Sequence, residues 1–222
     1  MAKNIFKELK EFSIILKEHR NYKLQLLSPK EVDTLNMRYI ISSEPVSARS
    51  LSPEFCSKNN RMQSIIFAII ELDGNGEEEL IGFTHFTYIA YADLIKRDDI
   101  DLVGIFDSYS EDLFRVARFI TDCHGNNGVN GHIMYHEGYH YSGDMDEAKL
   151  DQFINDAYSE NIKGLYKDMI SAACALVEKY VNCSPEHIVP LDCLIAEYPE
   201  RFEKFHFLYP GAIINYSPGK EY

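Results

Sequence analysis

Apolar residues recurring at three- and four-residue steps predict an amphipathic helix over residues 3–19, with Ile5, Phe6, Leu9, Phe12, Ile15 and Leu16 on one face and charges between them. Residues 22–27 alternate apolar and polar, the pattern of a half-buried strand. Ser28-Pro29-Lys30-Glu31 then supplies an N-cap, a proline at the first helical position and the glutamate of a capping box, so a helix is expected over 29–41. The Ser- and Pro-rich stretch 42–60 has no period and reads as a connection. Two strands, 65–72 and 80–90, flank Asp73-Gly74-Asn75-Gly76, which is hairpin chemistry. A short strand over 102–106 and a stronger one over 113–121 follow, the latter with Phe114, Val116, Arg118 and Ile120 on one face.

Residues 123–143 hold five glycines, three asparagines and four histidines, which predicts an irregular insertion spanning 122–158. Within it, Asp144 and Glu147 form a D-x-x-E capping box that opens a helix reaching 158. A second helix, 160–181, buries Leu165, Met169, Ala172, Leu176, Val177 and Tyr180. A strand at 188–194, a short helix at 196–205 and a strand pair over 207–216 broken at Pro210-Gly211 complete the chain. No repeat or clean linker divides it, so residues 1–222 are expected to form one domain, with 1–20 as an N-terminal helix.

Composition narrows the function classes. The chain carries 22 basic and 35 acidic residues, a net charge of −13, which argues against nucleic acid and anionic membrane as partners because both demand basic surfaces. The longest apolar run, Ile65 to Ile70, falls far short of the roughly 20 residues a membrane helix needs. The first residues alternate lysine and glutamate and lack the apolar stretch of a signal peptide. Five cysteines (Cys56, Cys123, Cys174, Cys183, Cys193) are odd in number and show no C-x-x-C spacing, the usage of reduced thiols in a cytoplasmic protein.

The order of elements, from the strand and helix of YKLQLLSPKEVDTLNMRY through the hairpin ending in ELIGF to a central strand, long helix, strand, short helix and final hairpin, resembles the GNAT superfamily of N-acyltransferases. Phe202-Glu203-Lys204-Phe205-His206-Phe207 is similar to that family's Tyr-Glu-Lys-x-Gly-Phe pattern. LFRVARFITD, with Ala117, Arg118 and Phe119, resembles the central strand of its acyl-homoserine-lactone synthase and N-acyl amino acid synthase branch. The resemblance covers about residues 22–216 and implies an α/β (α+β) fold with a mixed, mostly antiparallel central sheet flanked by helices. It further implies transfer of an acyl group from a thioester, acyl-CoA or an acyl carrier protein, to a small amine.

Under that resemblance the thioester lies against the central strand, here Arg118, Phe119 and Ile120, and against the turn opening the long helix, Asn161-Ile162-Lys163-Gly164-Leu165. A helix N-terminus offers a phosphate unpaired N–H groups and partial positive charge. The family's loop there carries Arg or Gln first and a second small residue; Asn161 and Tyr166 stand in those places, and Gly164 is either a phosphate turn or a plain helix glycine. The family's acid tyrosine is replaced by Phe202, with Tyr198 one turn earlier able to substitute as a catalytic group and His85 on the hairpin strand as a base. Arg118 would either steer a substrate carboxylate or pair with one of the many acids.

A rival chemistry stands on a strict spacing. His136-Glu137-Gly138-Tyr139-His140 is H-E-x-x-H, which on a helix sets two imidazoles toward Zn²⁺ and a glutamate beside the metal-bound water. Asp146 or His132 would complete the site of a zinc-dependent hydrolase. The alternative to both is a GNAT-fold module without activity that binds through the Gly/His segment.

Overall fold

The computed structural model of the protein describes residues 13–16, 21–28, 30–32, 34, 62–97, 101–108, 113–114, 117–118, 120–121, 131–141, 145–158, 165–181, 183–190, 206–207 and 214–215. Its frame is a six-stranded sheet in which strand order follows chain order. The strands are β1 (Ser13–Ile15), β2 (Tyr22–Leu26), β3 (Met62–Leu72), β4 (Glu78–Ile89), β5 (His132–Tyr141) and β6 (Ile188–Pro190). Every pairing is antiparallel except the last, β5 with β6, which is parallel. The expected mixed, mostly antiparallel sheet with helices is therefore present. A separate two-stranded ladder joins β7 (His206–Phe207) to β8 (Ile214–Asn215), the C-terminal strand pair the sequence predicts.

Local chemistry explains the elements. The β3–β4 hairpin closes where the Asp73 carboxylate accepts from the backbone N–H groups of Asn75 and Glu77 at 2.8 and 2.7 Å, and Gly76 takes φ 84°, which only glycine adopts without cost. The capping box at Ser28 forms as expected, with Ser28 N–H and hydroxyl both donating to the Glu31 carboxylate. Of the helix expected over 29–41, residues 30–32 and 34 are described and helical. The helices α3 (Glu147–Tyr158) and α4 (Leu165–Val181) match the two periodic segments of the sequence. Among the described residues α3 is capped by Asp146, whose carboxylate accepts from Lys149 N–H at 2.7 Å; the expected cap Asp144 lies outside the described residues.

Four expectations fail. Ser13–Ile15, assigned to an N-terminal helix, is the edge strand β1, because it pairs with β2. The segment over 102–106 is not a strand but part of helix α2 (Leu102–Asp107), which follows α1 (Tyr91–Leu94) and is capped by Asp101 accepting from Gly104 N–H at 3.0 Å. The described residues between 113 and 121 are helical, so the central strand is not there: Leu113, Ala117 and Ile120 are buried at helical spacing. The segment expected to be an irregular insertion instead holds β5, the strand between β4 and β6.

The sheet has a core on each side. On one face Leu24, Phe67, Ile69, Phe86 and Met134 pack against α3 and α4 through Phe153, Leu165, Met169, Leu176 and Val177. On the other face two smaller clusters form. One joins Ile89, Ile133 and Tyr135 to α1, α2 and the helical segment over 113–121; the other joins Leu27 and Val32 to Ile66, Ala68 and Phe83.

Candidate functional site

β5 is where the sheet changes character. Along one edge it pairs antiparallel with β4 from Ile133 to Tyr141; along the other it pairs parallel with β6 over three residues, His132↔Ile188 to Met134↔Pro190. The β4–β5 ladder slips by one residue between Phe86↔His136 and His85↔Gly138, leaving Glu137 as the extra residue of a bulge. Gly138 makes this turn possible with φ 139°, a conformation side chains rarely tolerate. Nearby, Gly82 lets the backbones close, since a Cβ there would lie 2.2 Å from the His140 carbonyl oxygen.

The bulge changes which way the histidines point. In an unbroken strand residues i and i+4 share a face; one extra residue reverses that parity. His136 faces the α3/α4 side, 1% exposed, with its ring stacked on Phe86 at 4.6 Å and meeting Tyr139 and Tyr166 at 4.7 and 5.2 Å. Its Nε2 and the Thr84 hydroxyl are 2.7 Å apart, a pair satisfied in either direction because a hydroxyl both donates and accepts. His140 lies on the opposite face, stacked on Phe83 at 4.4 Å. The zincin arrangement needs a helix and two imidazoles on one side; here the motif is a strand and the imidazoles are on two sides. Among the described residues no group of three or more His, Cys, Asp or Glu is placed to hold a metal. Asp146 caps α3, and the His132 ring lies 5.7 Å from that of Tyr88.

On the His140 face a polar seam separates the two apolar clusters. Ser64, Thr87 and His85 are buried there, at 7%, 3% and 5% exposure. The Thr87 hydroxyl donates a short hydrogen bond to the Glu137 carboxylate. His85 stands opposite Gly138, and its Nε2 has no hydrogen-bond partner among the described residues. Burial first, then the neighbouring His140 and His136, pushes the His85 imidazole down to about 3. Burial pushes His140 down to about 4. Both rings are therefore neutral at neutral pH, and the described seam offers a carboxylate, hydroxyls and uncharged imidazoles.

The sequence-predicted site is only partly gathered. Leu165 opens α4 and is fully buried on the α3/α4 side, whereas Ile120 is buried in the cluster on the opposite face. Arg118 is exposed on the helical segment, so it is not the buried strand charge expected. Asn161, Ile162, Lys163, Gly164, Phe119 and Tyr198 lie outside the described residues. His85, His136, Glu137 and His140 do come together, around one bulge. Thr84 and Thr87, which belong to no sequence motif, are brought there by β4 alternation. The alternation of Thr84, Phe86 and Tyr88 with Phe83, His85 and Thr87 was the available signal.

No described helix is long and apolar enough to cross a membrane. No protein-family model, curated protein or solved structure matches the chain.

Proposed function

We propose that the chain is an N-acyltransferase of the GNAT type, moving an acyl group from a thioester, acyl-CoA in the first instance, to an amine. One observation carries this reading: an antiparallel sheet running in chain order ends in a parallel pair, β5 and β6, joined through α3 and α4, with a bulge in β5 next to that pair. In the family the sequence resembles, the thioester lies against such a central strand and the opening of the long helix. On this reading β5 replaces the segment over 113–121 as the strand that receives the thioester. The donor's phosphates meet the helix N-termini that follow β5, where unpaired N–H groups favour anions.

The chemistry needs an amine free of its extra proton and a polarised thioester carbonyl. An ammonium substrate first loses a proton to the Glu137 carboxylate: an N–H bond breaks and an O–H bond forms. The amine lone pair then attacks the carbonyl carbon. The C–N bond forms, the C–S bond breaks, and the proton shed by nitrogen as it becomes an amide passes to the departing sulfur. Glu137 returns its proton to water, so the balance is ammonium plus thioester giving amide, thiol and one proton. His85, held neutral by its burial, serves as a hydrogen-bond acceptor in this scheme and not as the base first expected of it.

The test is a thermal melt of the full chain with acetyl-CoA and with a long-chain acyl-CoA. A ligand at about 100 times its Kd adds about 2.7 kcal/mol, which for a chain of this size raises Tm by about 5–10 °C. A rise of that order with either thioester is the expected result; none with either overturns the CoA-dependent reading.

A further inference from the structure

The β3–β4 turn sets an asparagine directly before a glycine at the protein surface. Of the three Asn-Gly pairs in the sequence, Asn75-Gly76, Asn127-Gly128 and Asn130-Gly131, the first lies wholly within the described residues. Residues 73–79 are all exposed, and a Cβ built on Gly74 or Gly76 would meet nothing within 4 Å, so water has access to the turn. The Gly76 nitrogen carries no side chain beside it to hinder an attack, and the carbon of the Asn75 carboxamide stands one residue before it. Two contacts hold these groups in place, and both end on Asp73. The Gly76 N–H donates to the Asp73 carbonyl at 3.0 Å, and Asn75 Nδ2 donates to the Asp73 carboxylate at 3.3 Å. That carboxylate also accepts from the backbone N–H groups of Glu77 and Asn75, which hold it below its ordinary range, Glu77 foremost.

We propose that Asn75 is a site of spontaneous deamidation and that Asp73 sets its rate. The Gly76 amide gives its proton to hydroxide, and its nitrogen attacks Asn75 Cγ. An N–C bond forms, the Cγ–Nδ2 bond breaks, and ammonia leaves with a proton returned by water, closing a cyclic imide. Water then opens the ring. Attack at Cγ breaks the new N–C bond and gives aspartate. Attack at the Asn75 carbonyl carbon breaks the original peptide bond and gives isoaspartate, whose chain runs through the side chain. Either way the sum is amide plus water giving carboxylate plus ammonium. Both products add a negative charge beside Asp73 and Glu77, and isoaspartate also lengthens the backbone of a turn closed by the Leu72↔Glu78 pair. The contacts to Asp73 must open before the nitrogen reaches the carbon. At an exposed site water takes the place of each partner, so each such bond slows the step by about two- to tenfold and does not stop it. The conversion does not depend on the acyl-transfer reading.

The test follows the peptide containing Asn75 by mass spectrometry while the full chain is held in mildly alkaline buffer made with ¹⁸O water, either native or unfolded in guanidinium chloride. In the native wild-type chain Asn75 is expected to gain the mass of amide-to-acid conversion together with ¹⁸O from the solvent, more slowly than in the unfolded chain. In native Asp73→Ala the conversion is expected to run at least about twofold faster than in wild type, toward the unfolded rate. An Asn75 that keeps its amide in the native wild-type chain after the unfolded chain has converted overturns the site. A native Asp73→Ala rate equal to that of wild type overturns the control by Asp73, as does a native wild-type rate equal to the unfolded one. If Asp73→Ala does not fold, the ratio of native to unfolded rates in the wild-type chain decides both points.

Discussion

Two side chains on β4 and β5 set how the bulge is held. Thr84 and His136 are both buried, at 0% and 1% exposure, and share a 2.7 Å hydrogen bond beneath α4. Thr84→Val keeps the shape and removes the hydroxyl, so it is expected to cost about 1–2 kcal/mol in a urea denaturation curve. An unchanged midpoint would show that the contact does not hold the strands. Gly138 sits at φ 139°, where a Cβ is strained whatever room it finds. Gly138→Ala is expected to lose about 1–3 kcal/mol. A stability equal to wild type would mean that the bulge relaxes into an unkinked ladder. That relaxation would move His140 to the face His136 occupies, since the separation of the two imidazoles depends on the single extra residue. The H-E-x-x-H spacing was legible in the sequence, but its meaning was not. A regular helix or strand would each put residues i and i+4 on one side, and only the slip in the β4–β5 register, a tertiary event, sends them apart.

At the scale of elements, the segments read correctly are those whose signal is local. α3 and α4 announce themselves by apolar period, and the Ser28–Glu31 capping box and the Asp73–Gly76 turn by side-chain chemistry that acts within four residues. Asp146→Ala should cost about 1 kcal/mol by removing the α3 cap, read as a lower Tm, whereas an unchanged Tm would mean that α3 is held by packing alone. β5 was missed because its glycines and histidines resemble a loop composition. Its strand state is fixed by β4 on one side and β6 on the other, partners that are far away in sequence. Gly131 and Gly138, which argued for irregularity, are the positions where the chain approaches the His187 carbonyl and where it bulges. The segment over 113–121 was misread for the opposite reason: Phe114, Val116, Arg118 and Ile120 fall at two-residue steps, but Leu113, Ala117 and Ile120 recur at helical steps and join the cluster on that face of the sheet. Gly82→Ala tests how tightly β4 and β5 are joined, because its Cβ would sit 2.2 Å from a backbone oxygen with no side chain to yield. It is expected to destabilise by about 1–3 kcal/mol, and a neutral effect would show that the two strands separate there at little cost.

For the whole molecule, the buried imidazoles make stability depend on pH in one direction. His85 is held down to about 3 and His140 to about 4, against an ordinary value of 6.5. Between those limits the unfolded chain binds protons that the folded chain refuses, so the stability of unfolding falls as pH falls. The full contribution is present above about pH 6.5. It is lost progressively as the solution is acidified toward the folded values, and it does not recur on the alkaline side, where both states are neutral. At about 1.36 kcal/mol for each pH unit and each imidazole, the two together lose on the order of a few kcal/mol between pH 6.5 and pH 5. Urea denaturation midpoints measured from pH 7 down to pH 5 should decline, and the decline should be shallower in the double variant His85→Gln, His140→Gln. A slope unchanged by the double substitution would assign the acid sensitivity to the chain's many carboxylates instead.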